Sequence, residues 1–124
     1  MKDLLWLAAA GAAGTLCRFG VSGLVQWLAG PKFPWGTLTV NVAGCFFFGL
    51  LWMLAEERLV LRGQTRFILL VGFMGAFTTF STFAFETTTY LRDGQWLAAC
   101  GNVLATNFVC VLAVMGGFAV ARWL

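Results

Sequence analysis

Histidine is absent, charged residues make up only 10% of the 124 positions, and the chain has two prolines and one tyrosine. Each shortage excludes something. Without histidine there is no imidazole to serve as base, proton shuttle or metal ligand. Of the five carboxylates, Asp3, Glu56, Glu57, Glu86 and Asp93, only Glu86 stands in or near an apolar segment, at its end. No paired carboxylates, Ser/His arrangement or phosphate-cradling loop can be assembled, so the chain is not expected to be an enzyme. Soluble domains are about a quarter charged, so a water-soluble fold is excluded as well.

What is present is apolar length. Hydrophobic residues make up 60% of the chain and gather in four runs, residues 6–28, 33–55, 67–85 and 95–121, of which only the first holds a charge, Arg18. Each run reaches the roughly 20 residues a helix needs to cross about 30 Å of hydrocarbon. None alternates as the strands of a membrane barrel do. The expected fold is an all-α membrane protein, a single transmembrane domain over residues 1–124. Its helices are expected at about 4–28, 35–55, 66–90 and 95–122, with both termini on one side. The first run imitates a signal peptide at residues 1–14 but continues far past an h-region, so it is taken as a span.

The connections are short: Pro31-Lys32-Phe33-Pro34, a charged stretch at 56–66, and the turn Arg92-Asp93-Gly94. Outside the spans, Lys2, Arg58, Arg62, Arg66 and Arg122 lie on the side of the termini, and Lys32 and Arg92 lie opposite. The positive-inside rule therefore orients the termini to the cytoplasm, five against two, a modest bias. The net charge of +3 carries no signal for nucleic acid, because seven of the eight basic residues sit at helix ends or in loops. Cys17, Cys45, Cys100 and Cys110 fall inside apolar runs without CxxC spacing and are expected as buried thiols acting as small apolar residues.

The remaining polar groups are those a bilayer penalises. Arg18 lies mid-run, where a cation faces protein or a watery cavity, through ion contact or structural pairing. Asn41 and Thr37, four apart, share one face of the second run, and Asn102, Thr106 and Cys110 draw a polar line on the fourth. Either line could serve an ion or act as interhelical glue. The third run holds two glycines, Gly72 and Gly75, then four hydroxyls within five residues, Thr78, Thr79, Ser81 and Thr82. That composition breaks a helix, and carbonyls freed by a mid-membrane break can bind a cation. Phe80 and Phe83, spaced i, i+3, share a face. Their ring edges, positive in the quadrupole, either pack or face an anion.

Three motifs then coincide: "GFMGAFTTFSTF" at 72–83, "GTLTVNVAGCFFFG" at 36–49 and "GTLCR" at 14–18. In these, in length and in motif order over the whole chain, the sequence resembles the Fluc (CrcB) fluoride channels. The resemblance implies an antiparallel, dual-topology homodimer in the inner membrane of a prokaryote. It would export fluoride passively and lower cytoplasmic fluoride, with two pores along the dimer interface. It implies pore roles for Asn41, Phe80 and Phe83, and, less directly, for Thr37, Ser81, Thr82 and Thr106. It implies a sodium ion held between subunits by the backbone carbonyls of Gly75 and Thr78, and a structural or vestibule role for Arg18. The alternatives are a small four-helix multidrug or cation exporter, which needs an intramembrane carboxylate, and a non-transporting assembly subunit.

Overall fold

A computed structural model describes residues 1–57 and 63–124 of the chain. Arg58 and Arg62, counted above for orientation, lie outside the described residues. Among the described residues the fold is all-helical, and four helical spans are long and apolar enough to cross a membrane. Helix α1 covers Lys2–Ala29 and α2 covers Trp35–Glu56. The third span, Gly63–Arg92, is composite. It consists of α3 (Gly63–Phe67), a π-helical stretch (Ile68–Met74), α4 (Gly75–Phe77) and α5 (Phe80–Arg92). Helix α6, Trp96–Trp123, completes the bundle.

The turn between α1 and α2 is closed by one side chain. Gly30, at φ 87°, ends α1 in a conformation that disfavours L side chains. The Gln26 amide nitrogen donates to the Gly30 and Phe33 carbonyls at 2.6 and 2.9 Å, and its oxygen accepts from the Gly36 amide at 3.1 Å. Gln26 thereby satisfies backbone groups that both helix ends leave open. Gln26→Leu, which keeps the volume and removes these bonds, is expected to destabilise the protein by about 1–3 kcal/mol per stranded polar group. Thermal unfolding in detergent checks this, and an unchanged midpoint would show that the clamp carries no stability.

At the opposite end of the bundle, Arg66 pairs with Glu56 at 2.9 Å and stacks over the Trp52 ring at 4.2 Å, while Arg122 reaches Glu57 at 4.0 Å. The end of α6 therefore lies beside the α2 exit. Tyr90 donates to the Lys32 carbonyl at 3.0 Å and ties the end of the third span to the first turn. Gly94, at φ 73°, makes the turn into α6.

Helix α6 packs chiefly on α2, and the approach depends on missing side chains. A methyl on Gly117 would overlap the Phe46 carbonyl oxygen, and one on Gly49 the Val114 carbonyl oxygen. Close backbone approach through small residues is how membrane helices gain contact where lipid supplies no hydrophobic drive between them. Helix α1 meets the third span in the same way, with Gly14 against the Phe73 carbonyl and Gly72 against Leu7 and Ala10. The outer surface is covered by large apolar groups such as Phe19, Trp27, Leu97, Phe108 and Leu112. Cys17 and Cys100 stand on that surface and are not buried, a correction to the expectation above; facing lipid, a thiol needs no protein cover.

Candidate functional site

The third span breaks where glycines and hydroxyls predicted it would, and the structure fixes the residues: Thr78 (φ −85°, ψ 156°) and Thr79 (φ −149°, ψ 108°) are extended. The preceding π-helical stretch was not foreseen. It begins after Phe67, and the Gly75 amide at its end reaches back to both the Gly72 and Leu70 carbonyls. Such π segments arise as local insertions in α-helices, often at functional sites.

Asn41 holds the break open. Its amide nitrogen donates to the Thr79 carbonyl at 3.1 Å, and its oxygen accepts from the Thr79 amide at 2.7 Å, so the side chain takes the place of a missing backbone partner. Asn41 is only 7% exposed. Gly44, one turn on, leaves room for the Thr78 methyl and the Phe77 ring where a Cβ would collide. Thr79 then caps α5: its hydroxyl accepts from the Thr82 amide at 3.3 Å and bonds the Thr82 and Ser81 hydroxyls at 2.9 and 3.3 Å. Ser81 and Thr82, expected as lining hydroxyls, thus meet Thr79 at the cap.

The break frees carbonyls of their usual donors, Gly75 and Thr78 among them. In an unbroken helix the Thr79 amide would close on the Gly75 carbonyl and the Thr82 amide on the Thr78 carbonyl. Here the first donates to Asn41 and the second to the Thr79 hydroxyl. The Thr78 amide and hydroxyl both turn back to the Met74 carbonyl, each at 3.1 Å. The Gly75 and Thr78 carbonyls are thus neutral oxygens of the kind a hard monovalent cation takes.

A groove of about 380 Å³ opens beside the break, walled by Asn41, Thr78, Phe80, Phe83, Thr106 and Asn107 among others. The two rings are 5.4 Å apart and inclined at 54°. They are not equivalent: Phe83 is 6% exposed, whereas Phe80 is 76% exposed on the outer side of the bundle. Thr106 reaches the groove, but its hydroxyl donates to Asn102 at 3.4 Å; Asn102 donates to Thr87 at 2.9 Å, and Thr87 to the Phe83 carbonyl at 2.8 Å. Asn102, 1% exposed, is interhelical glue between α6 and α5.

Thr37 lies outside this groove. It donates at 2.6 Å to Glu86, whose other carboxylate oxygen is buried without a partner among the described residues. Glu86 walls a second groove of about 410 Å³ with Gln26, Phe33, Phe85, Thr89 and Tyr90. Thr37 and Asn41 stand one turn apart on α2, so the polar groups form a line from the Lys32 end of the bundle to mid-span. Arg18 joins neither groove; its Nε is buried and has no hydrogen-bond partner among the described residues. Sequence reasoning missed Thr79 and set Glu86 aside. The spacing of Thr79 and Thr82 at an N-terminus is a legible cap signal, whereas nothing local links Glu86 to Thr37, 49 residues away.

The CrcB-like protein, Camphor Resistance (CrcB) family model matches residues 5–118. A protein of Nitrosococcus oceani named fluoride-specific ion channel FluC is 56% identical over 98% of this chain and 97% of its own. Proteins of the same name from Solidesulfovibrio magneticus and Geobacter sulfurreducens are 48% and 43% identical, each over at least 98% of both chains.

Proposed function

This chain belongs to the CrcB family, and on that premise we propose that it is a fluoride-selective channel through which the ion leaves the cytoplasm passively, in the inner membrane of a prokaryote. The observation that carries the reading is the Asn41–Thr79 clamp, which keeps a helix broken beside a groove edged by Phe80 and Phe83. Fluoride is small and strongly hydrated. A conducting path must replace its water with donors while avoiding a well too deep to leave. Asn41 retains one amide hydrogen beyond its bond to Thr79. The Phe80 and Phe83 rings, whose edges are positive, line the same space with no carboxylate among the residues that wall it, while the Thr106 hydroxyl in the wall spends its hydrogen on Asn102.

The channel works as an antiparallel homodimer of dual topology. The groove lies open on one side with Phe80 at its outer edge, and a second copy supplies the missing wall. The Gly75 and Thr78 carbonyls would hold a sodium ion, which would supply a fixed positive charge that raises the local potential for anions without titrating. Thr37, Ser81 and Thr82 continue the polar line toward the membrane surface. The Thr37 hydroxyl is held against Glu86, and Thr79 orders Ser81 and Thr82. Arg18 adds positive potential from within the first span.

Proteoliposomes loaded with fluoride or chloride salt and followed by ion-selective electrodes test the function. Fast fluoride loss with chloride retained is expected, and well-folded protein that passes no fluoride would sink the reading. In the same assay Phe83→Ile, which removes a ring edge and keeps apolar bulk, is expected to slow fluoride efflux about tenfold, equivalent to about 1.4 kcal/mol on the barrier. Equal efflux would take the rings out of the path. Tags accessible from both membrane faces are expected from dual topology.

A further inference from the structure

Two thiols remain outside the chemistry above. Cys45 on α2 and Cys110 on α6 both wall the mid-span groove, and neither is in a disulfide. The helix packing brings them together. Gly49 meets Val114 and, eight residues further along both helices, Glu57 meets Arg122, so α2 and α6 run parallel. Gly49 lies against the Val114 backbone with no room for a Cβ. Cys45 precedes Gly49 by four residues and Cys110 precedes Val114 by four, so both thiols stand one turn before the closest approach, on the contacting faces.

The donor set is narrow. Among the described residues no group of three or more His, Cys, Asp or Glu side chains comes together, so the pair has no third ligand of those types. Tetrahedral zinc asks for four ligands and hard cations ask for several oxygens, whereas two sulfurs suit a soft ion content with two-fold coordination. A divalent ion bound by two thiolates also leaves no net charge, which a low-dielectric setting favours. We propose that Cys45 and Cys110 form a two-thiolate site in the groove wall for one soft, thiophilic divalent cation of the mercury(II) class. Binding forms two metal–sulfur bonds and breaks two S–H bonds. Both protons leave to water together with the two chloride or water ligands the metal brought, and no electron is transferred. The site does not depend on whether the groove conducts fluoride.

The full-length chain carrying Cys17→Ser and Cys100→Ser, which removes the two outward thiols, is treated with mercury(II) chloride, challenged with rising monothiol, and weighed intact. One mercury per chain is expected. It should withstand about a hundredfold more competitor than in the same background carrying Cys45→Ser or Cys110→Ser, since the second thiol acts intramolecularly. Equal loss from paired and single thiols, or two mercury ions per chain, would overturn the site. Each variant is first matched to its parent by gel filtration, with alanine replacing serine where a serine variant does not fold.

Discussion

Alanine at position 41 is expected to cost both conduction and stability. The change removes the acceptor for the Thr79 amide at 2.7 Å and the donor to the Thr79 carbonyl at 3.1 Å. Each polar group so stranded costs about 1–3 kcal/mol. The cheapest relief is for the Thr79 amide to return to the Gly75 carbonyl and straighten the third span, erasing the break. Fluoride efflux from proteoliposomes is expected to fall at least about tenfold, a barrier change of roughly 1.4 kcal/mol. The protein is also expected to unfold at lower temperature in detergent. Asn41→Asp separates the two roles: it still accepts from Thr79 but places a negative charge on an anion path. If Asn41→Ala conducts and melts like the parent, the clamp has neither role.

Leucine at Gly117 is the second large effect. The first carbon of any side chain there would overlap the Phe46 carbonyl oxygen and stand 2.7 Å from the Leu50 amide nitrogen. Both are backbone atoms of α2 and cannot swing aside. The helices must separate, and the cost is about 3 kcal/mol, the upper end of what overpacking imposes. Neighbouring Gly116 provides the control, since a methyl there meets only the Phe46 ring, 3.8 Å away. Gly116→Ala is expected to purify as a monodisperse species with near-parental thermal stability, and Gly117→Leu to aggregate or melt well below it. Equal behaviour of the two would mean that α2 and α6 do not meet as described.

The spans themselves were readable, because a run of about 20 apolar residues has few uses besides crossing a bilayer. The break was readable as well: clustered glycines and hydroxyls in 72–82 contradict the helix around them. Asn41 stood out as the one side-chain amide in the second apolar run. Its partner did not, since nothing in the sequence says that Thr79 offers its backbone to Asn41 while Thr82 offers its amide to the Thr79 hydroxyl. The polar line on α6 shows the same limit. Asn102 and Thr106 are evenly spaced, yet the first is wholly engaged between helices and the second also reaches the groove.

By itself the sequence determined the solvent, the number of crossings, the weak point of the third span and a family resemblance. Tertiary structure decided direction. In a water-soluble helix the polar face marks the outside, but here lipid and protein interior are equally apolar, so periodicity cannot say which way a residue looks. Phe80 and Phe83 differ by three positions, and one faces outward while the other is buried. Gly101 and Gly117 read alike as letters, yet one has open space beside it and the other has the backbone of α2. Only packing, through backbone contacts far apart in the chain, assigns those faces and gathers Asn41, Thr79 and the two rings around one groove.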